Sequence, residues 1–140
     1  MKEKVLANKL AKKFGTRNPF EIIKGMNVIL VFVDLVDVRG FYQYFQRNNI
    51  IYIDQNLSRA EQIWVCAHEL AHMILHKKSN TVFMDTRTHF NTSIYEIETD
   101  KFAIELLVSD DDLTEYKNYT IEQISRLMGY QQKIMELRLK

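Results

Sequence analysis

Apolar residues recur at helical spacing near the start of the chain, with lysines between them. This period predicts a helix over residues 3–14. Asn18-Pro19 has the residue types of a helix cap and a first turn, so a second short helix is predicted to residue 24. These two helices make up the predicted N-terminal part of the chain, residues 1–26.

The pattern then changes to runs of β-branched and aromatic residues separated by short polar breaks. The runs are Asn27–Leu35, Gly40–Gln46 and Ile50–Asp54. Runs of this composition with such breaks predict strands, and we expect a small antiparallel sheet within residues 27–57.

Helical spacing returns after Ser58, which has capping-box spacing to Glu61 and begins a long predicted helix that ends at about His76. The next elements are predicted to be a polar loop, a short extended piece inside it and a third helix: residues 77–92, Val82–Met84 and Ser93–Val108. Two or three short helices follow, with a second capping box at Thr120 and a turn at Gly129. The predicted fold class is α+β.

A chain of 140 residues is the usual size of one domain. We therefore expect a single domain in which the sheet packs on a helical core. Its four parts are N-terminal helices, a small sheet, a central helical pair and helix-turn-helix-like C-terminal helices: residues 1–26, 27–57, 58–108 and 109–140.

Composition and charge exclude several classes of protein. With 46% hydrophobic and 26% charged residues, the chain is neither disordered nor fibrous. Its net charge of +1 gives no large positive field for nucleic acid or anionic membranes. The single cysteine, Cys66, excludes an intrachain disulfide. The N-terminus has no signal-peptide pattern, and the longest apolar run, residues 28–33, is far shorter than the about 20 residues of a membrane span. We expect a cytoplasmic protein without membrane contact.

The long predicted helix contains an H-E-x-x-H motif at residues 68–72. Two histidines at positions i and i+4 lie on one helix face, so His68 and His72 can bind one zinc ion. Glu69, between them, can act as the general base on a water molecule. In a random sequence of this length and composition the motif is expected about 0.008 times. The pattern therefore predicts a metal site.

The alternative interpretation treats both histidines as ordinary core residues. On a helical wheel, however, a continuous apolar stripe already forms the core face: Ile63, Ala67, Leu70 and Ile74, extended by Trp64, Ala71 and Leu75. The histidines and Glu69 occupy the remaining arc. A carboxylate and two imidazoles on an otherwise apolar helix need a partner, and a cation satisfies them.

Zinc in a catalytic site needs a third protein ligand. The downstream candidates are Asp85, His89, Glu96, Glu98 and Asp100. On the wheel of the third helix, Glu96 lies within an apolar face, whereas Glu98 shares a polar, solvated face with Lys101 and Glu105. We therefore predict Glu96 as the ligand and Glu98 as a surface residue, with the reverse assignment as the alternative.

Four further residues are candidates for supporting roles. Asp100, one turn after Glu96, can accept the second ring N–H of a ligand histidine. His76 continues the row of histidines and is expected outside the ligand set, behind the ligands or at the helix end, where the helix dipole favours a cationic ring. His89 and Tyr95 can lie near the site and stabilise an oxyanion, although ordinary loop positions are the alternative for both.

With these motifs, the sequence resembles the ImmA/IrrE family of zinc metallopeptidases. The resemblance is carried by four segments: Phe14–Ile23, Ile50–Asp54, His68–His76 and Tyr95–Leu107. The last of these is similar to a family signature in which an E-x-x-x-[N/D] pair precedes F-A-x-x-L-L. The resemblance implies His68, His72 and Glu96 as ligands of one Zn²⁺ ion and Glu69 as the catalytic base.

Two positions depart from the family pattern. Thr99 stands where the family usually has a smaller residue, and the proline that usually follows the paired leucines is absent. Ser109 and Asp112 have capping spacing at that point, so we expect an altered turn and an unaltered site.

The resemblance also implies a function. It implies an endopeptidase that cleaves a helix-turn-helix repressor of a prophage, mobile element or stress regulon. The alternative is a catalytically silent metal-binding module that sequesters such a regulator, and a third interpretation is a structural protein without metal. The C-terminal helices look like the helix-turn-helix-like end of many members. Residues 113–140 contain five basic and three acidic residues, and this small excess favours packing or partner recognition over DNA contact.

Overall fold

The computed structural model describes residues 2–76, 83–84 and 93–140. The elements within these residues are, in chain order, α1 Lys2–Phe14, α2 Pro19–Gly25, β1 Ile29–Val33, β2 Gly40–Phe45, β3 Asn48–Asp54, α3 Arg59–His76, β4 Phe83–Met84, α4 Ser93–Leu107, α5 Asp110–Leu113, a 3₁₀ turn Thr114–Tyr116, α6 Ile121–Met128 and α7 Gln132–Leu139. The α+β class and the predicted helices are confirmed. In this part of the chain no helix combines the length and the apolar character that a membrane crossing needs.

Side-chain caps set where several helices begin. The Asn18 side chain accepts a hydrogen bond from the backbone at the start of α2. At the start of α3, the Ser58 hydroxyl accepts from the Glu61 N–H while the Glu61 carboxylate accepts from the Ser58 N–H. The same exchange joins Thr120 and Gln123 at α6. Both predicted capping boxes are therefore present, and the first fixes the point from which the turns of α3 are counted.

The sheet has the strand order β1-β3-β2-β4. The β2 strand pairs with β3 and β4 in the antiparallel sense, as expected, but β1 pairs with β3 in parallel. The prediction of an antiparallel sheet is wrong for this one pairing. Ile51 and Ile53 of β3 are fully buried, whereas Ile29 and Phe32 of β1 are exposed. The strand with the fully buried apolar side chains is therefore an inner strand of the sheet, and β3 lies between β1 and β2.

The β2–β3 connection is tighter than the sequence pattern indicates. Its two central residues, Gln46 and Arg47, have φ angles of 49° and 66°, and β3 begins directly after them at Asn48. A two-residue hairpin turn requires positive φ at both positions, a conformation that usually selects Asn or Gly. The turn therefore lies at residues 46–47, whereas the sequence predicted a break at residues 47–49.

Two apolar clusters support the central helix. The first joins α1, α2, the sheet, α3 and part of α4, and it includes Cys66, whose thiol pKa burial raises to about 12. The second joins the end of α4 to α6 and α7 around Met135 and Ile124. Trp64 of α3 packs against both clusters. The α3 helix is thus held from the sheet side and from the C-terminal side, which positions the histidines along it.

Candidate metal centre

Helices α3 and α4 pack side by side and bring His68, His72 and Glu96 together. One ligand atom from each residue lies within 4.8 Å of the other two. His68 Nε2 is 3.3 Å from Glu96 Oε1, and His72 Nε2 is 3.2 Å from Glu96 Oε2. The two imidazoles point the same way because they are one helical turn apart. Two nitrogens and one carboxylate oxygen therefore converge on a single point.

Burial and charge act against each other in this cluster. Burial opposes the ionisation of Glu96 most strongly, but hydrogen bonds and charge from His68 and His72 together outweigh it, and the pKa of Glu96 is held below its ordinary value. Burial also lowers the pKa of His72 below its ordinary value. The site thus favours a carboxylate beside a neutral imidazole, which are the forms that bind a metal.

Glu69 is fully buried in the same helix. Within the described residues, neither of its carboxylate oxygens has a hydrogen-bond partner. A buried carboxylate without a donor is costly, and native proteins retain such groups where chemistry needs them. The position of Glu69 in the helix, directly after His68, places this unsatisfied acid beside the ligand cluster.

Asp100 lies behind His68. Its Oδ1 is 2.9 Å from His68 Nδ1, on the side of the ring away from Glu96. A carboxylate at this position accepts the second ring N–H and orients the imidazole. The structure therefore brings Asp100 to the place that its predicted role requires.

His76 lies behind His72. Its Nδ1 is 3.3 Å from His72 Nδ1, and the ring of Tyr95 packs against it edge-on at 4.7 Å. Within the described residues, His76 is not one of the three residues whose ligand atoms converge. Burial lowers the pKa of His76, which favours the neutral ring over the cationic ring suggested by its place at the helix end.

The predicted solvated face of α4 is wrong for Glu105, and the other two members, Glu98 and Lys101, are partly exposed. Glu105 is 2% exposed and pairs with Lys101 at 3.1 Å and with Arg138 of α7 at 3.4 Å. Glu98 is half-buried, 3.7 Å from His76 and 3.3 Å from Lys2 of α1. The wheel could not show this, because α1 and α7 pack on the face that it assigned to solvent.

The sequence reasoning missed one residue near the site. Thr99 is fully buried, with its Oγ1 3.5 Å from His72 Nδ1 and 2.6 Å from the Tyr95 carbonyl oxygen. Its departure from the family pattern was the available signal, since an extra hydroxyl in a buried position must find a partner.

The two candidates for oxyanion stabilisation have different outcomes. The ring of Tyr95 contacts the ring of His76, and 42% of the surface of Tyr95 is exposed. His89 lies outside the described residues, as does the rest of the predicted loop apart from the two residues of β4. The role of each stays a prediction.

The donor set and the unsatisfied base fit a zinc ion. Three protein ligands with a free fourth position are typical of catalytic zinc, and the buried oxygens of Glu69 lack protein donors in the described structure. An H-E-x-x-H helix with a carboxylate from the next helix defines the class of metallopeptidase-type proteins.

Comparison with known proteins agrees with this class. The model of the peptidase family M78, described as the IrrE N-terminal-like domain, matches residues 24–140. An uncharacterised immunity region protein of Bacillus phage phi105 is 38% identical over 138 residues, which cover 96% of this chain and 87% of that protein. The metallopeptidase ImmA of Bacillus subtilis is 28% identical over 134 residues, which cover 91% of this chain and 78% of that protein. The chain belongs to the ImmA/IrrE family, as its sequence indicated.

Proposed function

We propose that the protein is a zinc-dependent endopeptidase. The observation that carries the proposal is the cluster of His68, His72 and Glu96 next to the buried carboxylate of Glu69, which has no hydrogen-bond donor in the described part of the chain. A purely structural metal site does not need an additional acid without a partner. The relative named as a metallopeptidase supports the same activity.

Each residue of the site has a defined task in this function. His68, His72 and Glu96 hold the zinc ion, and Asp100 keeps the His68 ring in its ligand orientation. Zinc, when bound, supplies a Lewis acid that polarises the substrate carbonyl and lowers the pKa of water. The Glu69 carboxylate takes a proton from the attacking water and passes it to the leaving nitrogen of the peptide. Tyr95 and His89 are the candidates for contact with the developing oxyanion.

We further propose that the substrate is a helix-turn-helix transcriptional repressor and that the protein acts as a single domain in the cytoplasm. The relative named as a phage immunity region protein supports a regulator of a mobile element as the substrate. The small net charge of the chain favours a protein substrate over nucleic acid.

The test uses the zinc-loaded protein and the helix-turn-helix regulator encoded beside its gene. Glu69→Gln should bind the regulator without cutting it, and Glu21→Gln, an exposed site on α2, should cut as well as the parent. Cleavage by Glu69→Gln at the parent rate would overturn the mechanism. If the parent and Glu69→Gln both bind the regulator and neither cleaves it, a sequestering module is favoured instead.

A second pair of variants tests the ligand assignment. Glu96→Ala should abolish one-to-one zinc binding, because it removes the carboxylate whose two oxygens face His68 and His72. Glu98→Ala removes the acid of the alternative ligand assignment on the same helix and should reduce the affinity far less. Equal losses in a zinc titration would contradict the assignment of Glu96.

A further inference from the structure

The two ligand histidines are supported by different groups. An imidazole that turns the lone pair of Nε2 toward a metal carries its hydrogen on Nδ1, and that N–H needs an acceptor. For His68 the acceptor is a carboxylate oxygen of Asp100 at 2.9 Å. For His72 the facing group is the Nδ1 atom of another ring, His76, at 3.3 Å.

The ring of His76 can accept this hydrogen bond only in one tautomer. Its own hydrogen must then lie on Nε2, which is buried and has no hydrogen-bond partner within the described residues. The carboxylate of Glu98 faces that atom, with Oε1 at 3.7 Å, and so favours a hydrogen there. Glu98 is itself held by Lys2 of α1 at 3.3 Å. A row of groups thus extends from α1 through Glu98 and His76 to His72.

The structure restricts the ring of His76 to this place. His76 is four residues after His72, so the two rings stand on the same face of α3. Its side chain is 5% exposed, and the edge-on contact with the Tyr95 ring fixes the ring plane. A ring held this closely loses little entropy when it accepts a hydrogen bond.

Thr99 is the competing acceptor. Its Oγ1 lies 3.5 Å from His72 Nδ1 and donates its own hydrogen to the Tyr95 carbonyl at 2.6 Å, so a lone pair is available. At 3.5 Å a hydrogen bond is weaker than at 3.3 Å. The geometry favours His76 over Thr99.

We propose that His76 is a positioning residue for His72: its Nδ1 accepts the Nδ1–H of His72, and Glu98 sets the tautomer that makes this possible. The proposal rests on the proposed metal site and assigns Glu98 a role that its position on the helical wheel does not indicate. Removing this acceptor weakens the preference of His72 for a hydrogen on Nδ1, and a ring that carries its hydrogen on Nε2 cannot bind a metal through that atom.

The first test measures zinc affinity of the full chain by competition with a chelator. His76→Leu keeps a side chain of similar volume but removes the acceptor, and the affinity should fall about 10- to 100-fold. His76→Asn places an amide oxygen near the position of Nδ1 and should stay within about threefold of the parent. Thr99→Val, which removes the competing acceptor, should also stay within about threefold.

The second test needs no variant. Nitrogen-15 NMR of the histidine rings in the zinc-loaded parent should show the hydrogen on Nδ1 of His72 and on Nε2 of His76. A hydrogen on Nδ1 of His76 would overturn the proposal. Because this measurement uses the parent, it remains decisive even if His76→Leu fails to fold.

The outcomes separate this proposal from the function on which it rests. If the parent fails to bind one zinc ion, both are overturned. If the parent binds one zinc ion and Glu96→Ala does not, the metal site is supported independently. An unchanged affinity of His76→Leu, or a large loss in Thr99→Val, would then overturn the positioning role alone.

Discussion

Replacing Glu69 by Gln should stabilise the metal-free protein while it abolishes cleavage. Glu69 is fully buried, and neither carboxylate oxygen has a hydrogen-bond donor among the described residues. The folded apo protein therefore carries an unsatisfied acid that the unfolded chain exposes to water. Glutamine has nearly the same shape and no charge, so the substitution removes the desolvation cost of the charge and little packing.

The expected gain follows from two opposing costs. A buried ion without compensation costs several kcal/mol, and an unsatisfied neutral polar group costs about 1–3 kcal/mol. The difference favours Glu69→Gln by about 1–3 kcal/mol in the free energy of unfolding. For a chain of 140 residues, about 3 °C per kcal/mol converts this into a rise in Tm of about 3–9 °C.

The measurement is thermal and urea unfolding of both proteins in the presence of a chelator. Glu105→Gln is the matched control, because Glu105 is equally buried but pairs with Lys101 and Arg138. Removing that charge takes the shared buried carboxylate from both cations, although Arg138 keeps Asp110 at 2.7 Å, and should destabilise the protein by about 2–4 kcal/mol. If both substitutions change stability in the same direction, the contrast between an unpaired and a paired buried acid is refuted.

Three further predictions follow from the structure. Burial lowers the pKa of His72 and His76, so below about pH 6.5 the unfolded chain binds protons that the folded protein does not. The unfolding free energy of the apo protein should therefore fall on acidification by up to about 2.7 kcal/mol per pH unit, and a flat urea-unfolding profile between about pH 7 and pH 5 would contradict this. Gly40→Ala should lower the free energy of unfolding in urea by about 1–3 kcal/mol, because the new Cβ would lie 2.6 Å from Val65 Cγ1. A variant as stable as the parent would show that α3 is not held against β2 as described. Arg138→Met should cost about 3 kcal/mol in the same assay by leaving Glu105 with one partner fewer, and a change below about 1 kcal/mol would show that α7 is not held by this pair.

The parts of the structure that depend on local spacing could be predicted from the sequence. The turns of α3 and α4 follow from apolar periodicity, and the caps at Ser58 and Thr120 from residue types three positions apart. The convergence of His68 and His72 needs only the geometry of one helix. The prediction of Glu96 as the third ligand required one further argument, that an acid within an apolar helix face must have a partner.

The parts that depend on packing between distant segments could not be predicted. Helical periodicity assigned Glu105 to solvent because it contains no information about Arg138, which is 33 positions further along the chain. The parallel pairing of β1 with β3 depends on contacts between segments far apart in the chain, not on the runs themselves. The turn at Gln46 and Arg47 uses a backbone conformation that neither residue type indicates.

The candidate site depends most on the position of α4 relative to α3. Glu96 faces the ligand nitrogens, Asp100 faces the back of His68, and Glu98 faces His76, so a shift of α4 by one residue would misplace all three acids. The contacts that hold α4 in place lie far from the chemistry. Arg17 donates to the carbonyl oxygens of Glu105 and Leu106 at the C-terminal end of α4, at 3.1 and 3.0 Å. Because these carbonyls have no partners within the helix, the guanidinium both satisfies them and anchors the helix end. The residues that determine zinc affinity should therefore include ones that no substrate or metal ever touches.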